Sequence, residues 1–451
     1  MTEPDWVQHA IFWQVYPLGF VGAAGASGPE AAGASGPDGR PAPAGAGRLD
    51  RLTDWLDYAV RLGASGLALG PVFASATHGY DTTDHYTIDP RLGDRADFDA
   101  LLEAAHSRGL RVLLDGVFNH VGHGFEKFRL ALEGGPGSPE ARWFRISWAD
   151  GGEPDWATFE GHRELVAFNH DEPRVADYVT DVMCHWLAAG ADGWRLDAAY
   201  AVPTSFWADV LGRVRAAHPD VYLVGEVIHG DYVGTVKATG MHAVTQYELW
   251  KAVWSSINDG NLFELAWALG RHDEFLDSFV PLTFVGNHDV SRVASVLDDE
   301  RHLPHALALL FTLGGTPCVY YGDEQAFRGV KEERAGGDDA VRPEFPADEN
   351  SLAPFGWPTY RLHQELIGLR RRHPWLHHAR SGQLHLTNTQ LVLVAEHDGS
   401  RVLTALSMDD DPAELPAPGA GEVLAGEAEL LDPGREDTRV LLPAHGWAVL
   451  G

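Results

Sequence analysis

Apolar residues along the chain fall into two alternating patterns. One is a series of short, nearly continuous runs: residues 11–17 (IFWQVYP), 66–71 (GLALGP), 111–118 (RVLLDGVF), 193–197 (GWRLD), 221–227 (VYLVGEV), 242–247 (HAVTQY), 279–287 (FVPLTFVGN) and 316–324 (TPCVYYGDE). Between them lie segments such as LDRLTDWLDYAVRLG, DFDALLEAAHSRG and VADYVTDVMCHWLAAG, whose apolar residues recur at helical spacing and which often close on Gly. Eight strand–helix alternations predict an α/β chain closed into a (β/α)8 TIM barrel.

Two insertions interrupt the alternation. Residues 21–47 are nearly all Ala, Gly, Pro and Ser, with AGASGP occurring twice, a composition that cannot pack a core. The stretch is expected as a loop after the first strand, serving either as a lid or as a tolerated insertion. Residues 121–165, which include Trp143, Trp148 and Trp156, are too many for an ordinary loop and predict a small lobe over the cleft. From about residue 380 the pattern changes to short alternating runs between Gly, Pro and Asp clusters, the signature of an antiparallel β domain. The expected division is a barrel at 1–120 and 166–379, the inserted lobe at 121–165 and a C-terminal β-sandwich at 380–451.

The bulk numbers narrow the partners. A formal charge of −31 argues against nucleic acid or an anionic membrane and suits a neutral substrate such as sugar. No apolar run approaches the roughly 20 residues of a membrane span. MTEPDWVQHA has neither a basic nor an apolar leader region. Cys184 and Cys318 both read as small buried hydrophobes rather than a disulfide, and the expected location is the cytoplasm.

Asp197, Glu226 and Asp289 each stand where one of the predicted strands runs out, with His120, Arg195 and His288 beside the same strand ends. In a parallel barrel those ends meet on the catalytic face. Carboxyls gathered there suit glycosidic cleavage, in which one carboxylate attacks or stabilises and one carboxylic acid protonates the leaving oxygen.

Read as motifs, DGVFNH (115–120), GWRLD (193–197), GEV (225–227) and FVGNHD (284–289) resemble, in order, the strand-end segments of the α-amylase family of glycoside hydrolases. HGYDTTDHYTIDPRLGD (78–94) resembles that family's loop after strand two, and VAFNHDEPRV (166–175) its segment leading into the helix before strand four. The resemblance implies Asp197 as nucleophile, Glu226 as general acid and then base, and Asp289 as the group that binds sugar hydroxyls and stabilises the transition state. It implies Tyr80 stacking beneath the sugar, His120 and His288 donating to its hydroxyls, and Arg195 holding the nucleophile charged. Asp115 and Asn119 are expected to brace the third-strand loop, and GGDDAVRP (336–343) resembles a loop that brings Asp339 and Arg342 to the cleft.

Departures from the family pattern refine the substrate. Thr77 stands where exo-acting relatives carry an acid, Ala198 follows the nucleophile and leans toward α-1,4 links, and Tyr200 replaces a starch-binding Lys-His pair. PLGFVGAAG occupies the place of a calcium loop without its carboxylates, so no metal and no other cofactor is expected. The resemblance is strongest to the cyclomaltodextrinase, neopullulanase and maltogenic-amylase type. It implies a retaining hydrolase of α-1,4 bonds in linear or cyclic maltooligosaccharides, with homodimerisation left open. A glucanotransferase or sugar isomerase is the alternative within the family, and a non-catalytic sugar-binding or transporter-associated relative the alternative outside it.

Overall fold

The computed structural model describes residues 2–23, 48–148, 153–334 and 336–451. Apart from its first three residues, the Ala/Gly-rich stretch 21–47 lies outside the described residues.

Each of the eight apolar runs supplies one parallel strand: β1 (Phe12–Val15), β2 (Gly66–Leu69), β3 (Arg111–Gly116), β4 (Gly193–Leu196), β5 (Tyr222–Gly225), β6 (Ala243–Val244), β7 (Leu282–Thr283) and β8 (Thr316–Tyr320). They are ordered β6-β5-β4-β3-β2-β1-β8-β7. The ring closes where Thr245, just past β6, pairs in parallel with Leu282 of β7. Both faces of these strands are buried, which is why they read as runs rather than alternations. Gly193 is fixed by crowding, since a Cβ there would lie 2.2 Å from the Tyr222 carbonyl oxygen on the next strand.

The intervening helices carry legible ends. Arg95–Ser107 starts on a capping box in which Asp94 accepts from the Ala96 and Asp97 amides and Asp97 returns a bond to the Asp94 amide. Pro173 opens Pro173–Ala188 at a position where no amide hydrogen is needed. No helix among the described residues is long and apolar enough to cross a membrane.

The insertion after β3 forms a lobe around a three-stranded antiparallel sheet of His120–Gly122, His162–Ala167 and Thr158–Phe159. Phe128 holds it together, edge-on to Phe144 and Trp156 with ring centroids 5.1 Å apart in both pairs. The C-terminal region builds a five-stranded and a three-stranded antiparallel sheet. Between them lies a separate apolar core that includes Val392, Leu403, Leu415, Val440 and Leu450. The Thr404 hydroxyl donates to Thr312 at 2.8 Å, tying this region to the barrel helix Leu303–Thr312.

A buried polar cluster follows β8. Glu324 accepts from Tyr58 Oη at 3.0 Å and from the Gly322 amide at 2.9 Å, and burial pushes its carboxyl up to about 7. A carboxyl raised on folding adds stability that is complete below its unfolded value of 4.5 and is lost as the pH climbs through about 7. Glu324→Gln, which mimics the protonated acid, is therefore expected to flatten the fall in thermal stability between about pH 5 and pH 8. At the upper end it should leave the protein more stable than wild type by on the order of 2–3 kcal/mol. Thermal denaturation of both proteins across that range checks it; parallel curves would contradict the assignment.

Candidate active site

Asp197 directly follows β4 and Glu226 directly follows β5, so the two reach the same end of the barrel from adjacent strands. Asp289 arrives differently. The chain leaves the ladder after Thr283 and runs as Phe284–Asn287 past Asp323. A Cβ on Gly286 would stand 2.3 Å from that carboxylate, so only glycine passes. The Asn287 side chain then accepts the Asp289 amide at 2.8 Å and turns the loop into the cleft.

Arg195 ties the acids together. Its side chain leaves β4 on the same face as Asp197, two residues on. Nη1 donates to Asp115 at 2.8 and 2.9 Å and to Asp197 Oδ1 at 2.9 Å. Nη2 lies 2.6 Å from Glu226 Oε1 and 3.8 Å from Asp289 Oδ2. All four carboxyls thus stand around one guanidinium. Ala198, held in the left-handed region at φ 44, donates its amide to Glu226 Oε2 at 2.9 Å. Such a conformation costs a non-glycine residue about 1–2 kcal/mol. Here it aims a backbone donor at the reacting group.

Burial raises Asp197 well above the carboxylate range, with Glu226, Asp115 and Asp289 adding to the rise and Arg195 opposing it. Burial raises Glu226 as well, again against Arg195. Arg195 opposes that rise with one guanidinium divided among several acids. Two interacting carboxyls raised together titrate as a pair, so a proton is retained between them over a range where either alone would have lost it. Asp289 goes the other way. Burial pushes it up, but His288, Arg342 and Arg195 together hold it far below the ordinary value.

The remaining expected residues form the wall beside Asp289. Tyr80 stacks parallel to His288 with centroids 5.6 Å apart, donates to Asp115 Oδ2 at 3.1 Å and hydrogen-bonds His288 Nε2. His288 is oriented by the Gln14 amide at 3.1 Å on its other nitrogen and lies 2.9 Å from Asp289 Oδ2. Arg342 donates to the His288 carbonyl at 2.9 Å and to Asp289 Oδ1 at 2.8 Å.

His120 lines the same cleft, yet both its nitrogens are engaged, by Asn119 and by the Tyr80 carbonyl, each at 3.1 Å. Asn119 thereby braces the third-strand loop, as Asp115 braces Arg195. Asp339 is the exception among the expected residues. It is exposed, and the short helix Asp339–Val341 turns it to solvent, while Asp338 pairs with Arg342 at 3.1 Å.

Several residues of the site were not singled out in the sequence. Tyr247 donates to Glu226 Oε1 at 3.3 Å and accepts from Asn287 at 2.9 Å. It ends the sixth apolar run, so the strand-end rule that marked the acids also points to it. Phe159, stacked on His120 at 4.7 Å, and Glu160, which accepts from Tyr200 at 3.0 Å, reach the cleft from the inserted lobe and carry no local signal. Together with Ile228, Trp250 and Lys331 they bound a cavity of about 380 Å³ open to the acids. Its size and mixed polar and aromatic lining suit a small-molecule site.

The model of the alpha-amylase catalytic domain matches residues 14–391. Cyclomaltodextrinase of Geobacillus thermopakistaniensis (strain MAS1) is 30% identical over 474 aligned positions, covering 99% of this chain and 77% of that protein. Among solved structures, the native form of a debranching enzyme from Nostoc punctiforme superposes with a TM-score of 0.84 at 28% identity, covering 100% of this chain and 99% of the other. Cyclic α-maltosyl-(1→6)-maltose hydrolase from Arthrobacter globiformis, in complex with the sugar of its name, superposes with a TM-score of 0.82 at 26% identity and full coverage of both chains.

Proposed function

We propose that this chain, which belongs to the α-amylase family and is a glycosidase, hydrolyses α-1,4-glucosidic bonds in linear and cyclic maltooligosaccharides with retention of configuration. The observation that carries this reading is the grouping of Asp197, Glu226 and Asp289 around Arg195 at the mouth of one cavity, with burial raising the first two and His288, Arg342 and Arg195 holding the third low. A retaining mechanism needs one proton on a carboxyl pair, and burial that raises both Asp197 and Glu226 supports that arrangement.

Catalysis runs with the proton on Glu226 and the charge on Asp197. Asp197 attacks the anomeric carbon as Glu226 protonates the departing oxygen. Glu226, now ionised, then takes a proton from water, which releases the sugar from Asp197. Asp289, fixed by His288 and Arg342, remains an anion through the cycle and faces the positive charge that develops at the ring. Tyr80 stacks beneath the same sugar in this reading, and His120 and His288 stand beside its hydroxyls. Arg342, backed by Asp338, completes the wall. The protein acts without a cofactor in this reading, and its place of work is the cytoplasm, to which the unpaired state of Cys184 and Cys318 is suited.

A second reading has its own support. Two structural relatives of matching length are named for debranching and for a (1→6)-linked cyclic maltoside. Incubation with maltotetraose, a cyclodextrin, pullulan and the cyclic (1→6) tetrasaccharide separates the readings. Fastest release of short maltooligosaccharides from the first two supports α-1,4 hydrolysis; preferential cleavage of the (1→6) links replaces it with the second, and elongated products move the chain to the transferases.

A further inference from the structure

Away from the cleft, a histidine–carboxylate cluster joins the barrel to the C-terminal sheets. Asp299 caps, and His302 ends, a single 3-10 turn in the segment leading to the helix Leu303–Thr312. His445 sits in the turn between the strands Arg439–Leu442 and Trp447–Leu450. The ligating atoms of these three residues all lie within 4.8 Å of one another. His302 Nε2 and His445 Nδ1 face each other at 3.0 Å. In a tetrahedral zinc site, with Zn–N bonds of about 2.0–2.1 Å, two nitrogen ligands stand roughly 3.3 Å apart, so a small opening of the rings admits the ion.

Two further observations point the same way. His445 donates its Nε2 hydrogen to Asp410 Oδ1 at 2.9 Å, which leaves the Nδ1 lone pair directed at His302. A carboxylate behind an imidazole in this manner is the usual support of a metal-bound histidine. The backbone of His445 is held at φ 51, in the left-handed region, with its amide bonded to the Asp409 carbonyl at 2.9 Å. Strain of that kind collects where a side chain must be placed.

Asp299 accepts from the Arg301 amide, Nε and Nη2, bonds that the metal would share or replace, and the Arg301 side chain is 57% exposed. The exposed Asp410 marks the open side.

We propose that Asp299, His302 and His445 bind a zinc-type divalent cation, with water as the fourth ligand, that fastens the barrel to the C-terminal β domain. The sequence pointed to no metal here, because His302 and His445 stand 143 residues apart and only folding brings them together.

Calorimetric titration of the chelator-stripped full chain with zinc chloride, followed by thermal denaturation, tests the site. One zinc per chain and a rise in Tm that magnesium does not reproduce are expected. His302→Gln and His445→Asn should abolish both, asparagine being chosen because it tolerates the left-handed backbone. Asp410→Asn should keep the stoichiometry and weaken affinity by about 10–100-fold. A plain ring-to-ring hydrogen bond predicts no zinc-dependent shift, and that result would overturn the proposal. So would zinc binding that survives in both histidine variants and disappears in His377→Gln, because the ion would then belong to the cluster of Glu3, His377 and His378.

Discussion

Asp197→Asn is expected to lose turnover of maltotetraose by on the order of 10⁴-fold or more, the scale seen when a covalent nucleophile is removed, while still binding the sugar. The amide has the shape of the carboxylate but cannot attack. Binding should survive because Arg195 keeps Asp115 and Glu226 as partners, and because Asp289 is fixed by His288 and Arg342 rather than by Asp197. Calorimetric titration with maltotetraose should therefore give a Kd within several-fold of the KM of the wild type, and circular dichroism should show an unchanged fold. Turnover within tenfold of wild type would remove Asp197 from the nucleophile's role.

Glu226→Gln separates the acid from the nucleophile. General acid catalysis contributes about 10²–10⁴-fold, and only where the leaving group needs a proton. The variant should lose that much on maltooligosaccharides, and much less in the first step on an aryl maltoside with an acidic phenol. Its pH profile carries a second signature. In the wild type, activity falls on the alkaline side as the raised Glu226 carboxyl loses its proton, and glutamine has no proton to lose, so that fall should vanish. The acid limb should stay in place, because it reports Asp197 titrating beside a Glu226 that is already neutral, and glutamine mimics that neutral acid. Equal losses on good and poor leaving groups, with an intact alkaline limb, would contradict the acid role.

The barrel was legible because its strands are buried on both faces and read as uninterrupted apolar runs. The acids on β4 and β5 were legible for the same reason, since a charged residue that ends such a run must lie at a barrel mouth. The run 279–287 misled in one respect. Only Leu282–Thr283 pair as strand, because the chain beyond must bend past the buried Asp323 to deliver Asp289.

Position was harder to read where no regular element sets it. Within the loop GGDDAVRP (336–343), one residue of a 3-10 turn rotates a side chain by about a third of a circle. That is the difference between Asp338 on Arg342 and Asp339 in solvent. Phe159 and Glu160 belong to the site only through the folding of the inserted lobe, about 40 residues from the strands they face. The sharing of Arg195 among four acids is likewise a property of packing. The sequence shows that a positive charge lies near Asp197, and not that it is divided among Asp115, Asp197, Glu226 and Asp289.

The central claim is that Asp197 and Glu226 act as a nucleophile and acid pair. The configuration of the first product tests it most directly. Proton NMR of a freshly mixed cyclodextrin or maltotetraose digest, read before mutarotation, should show the new reducing end appearing as the α anomer and relaxing slowly to the equilibrium mixture. The β anomer appearing first would mean that water attacks directly from the opposite face, and Asp197 would be no nucleophile.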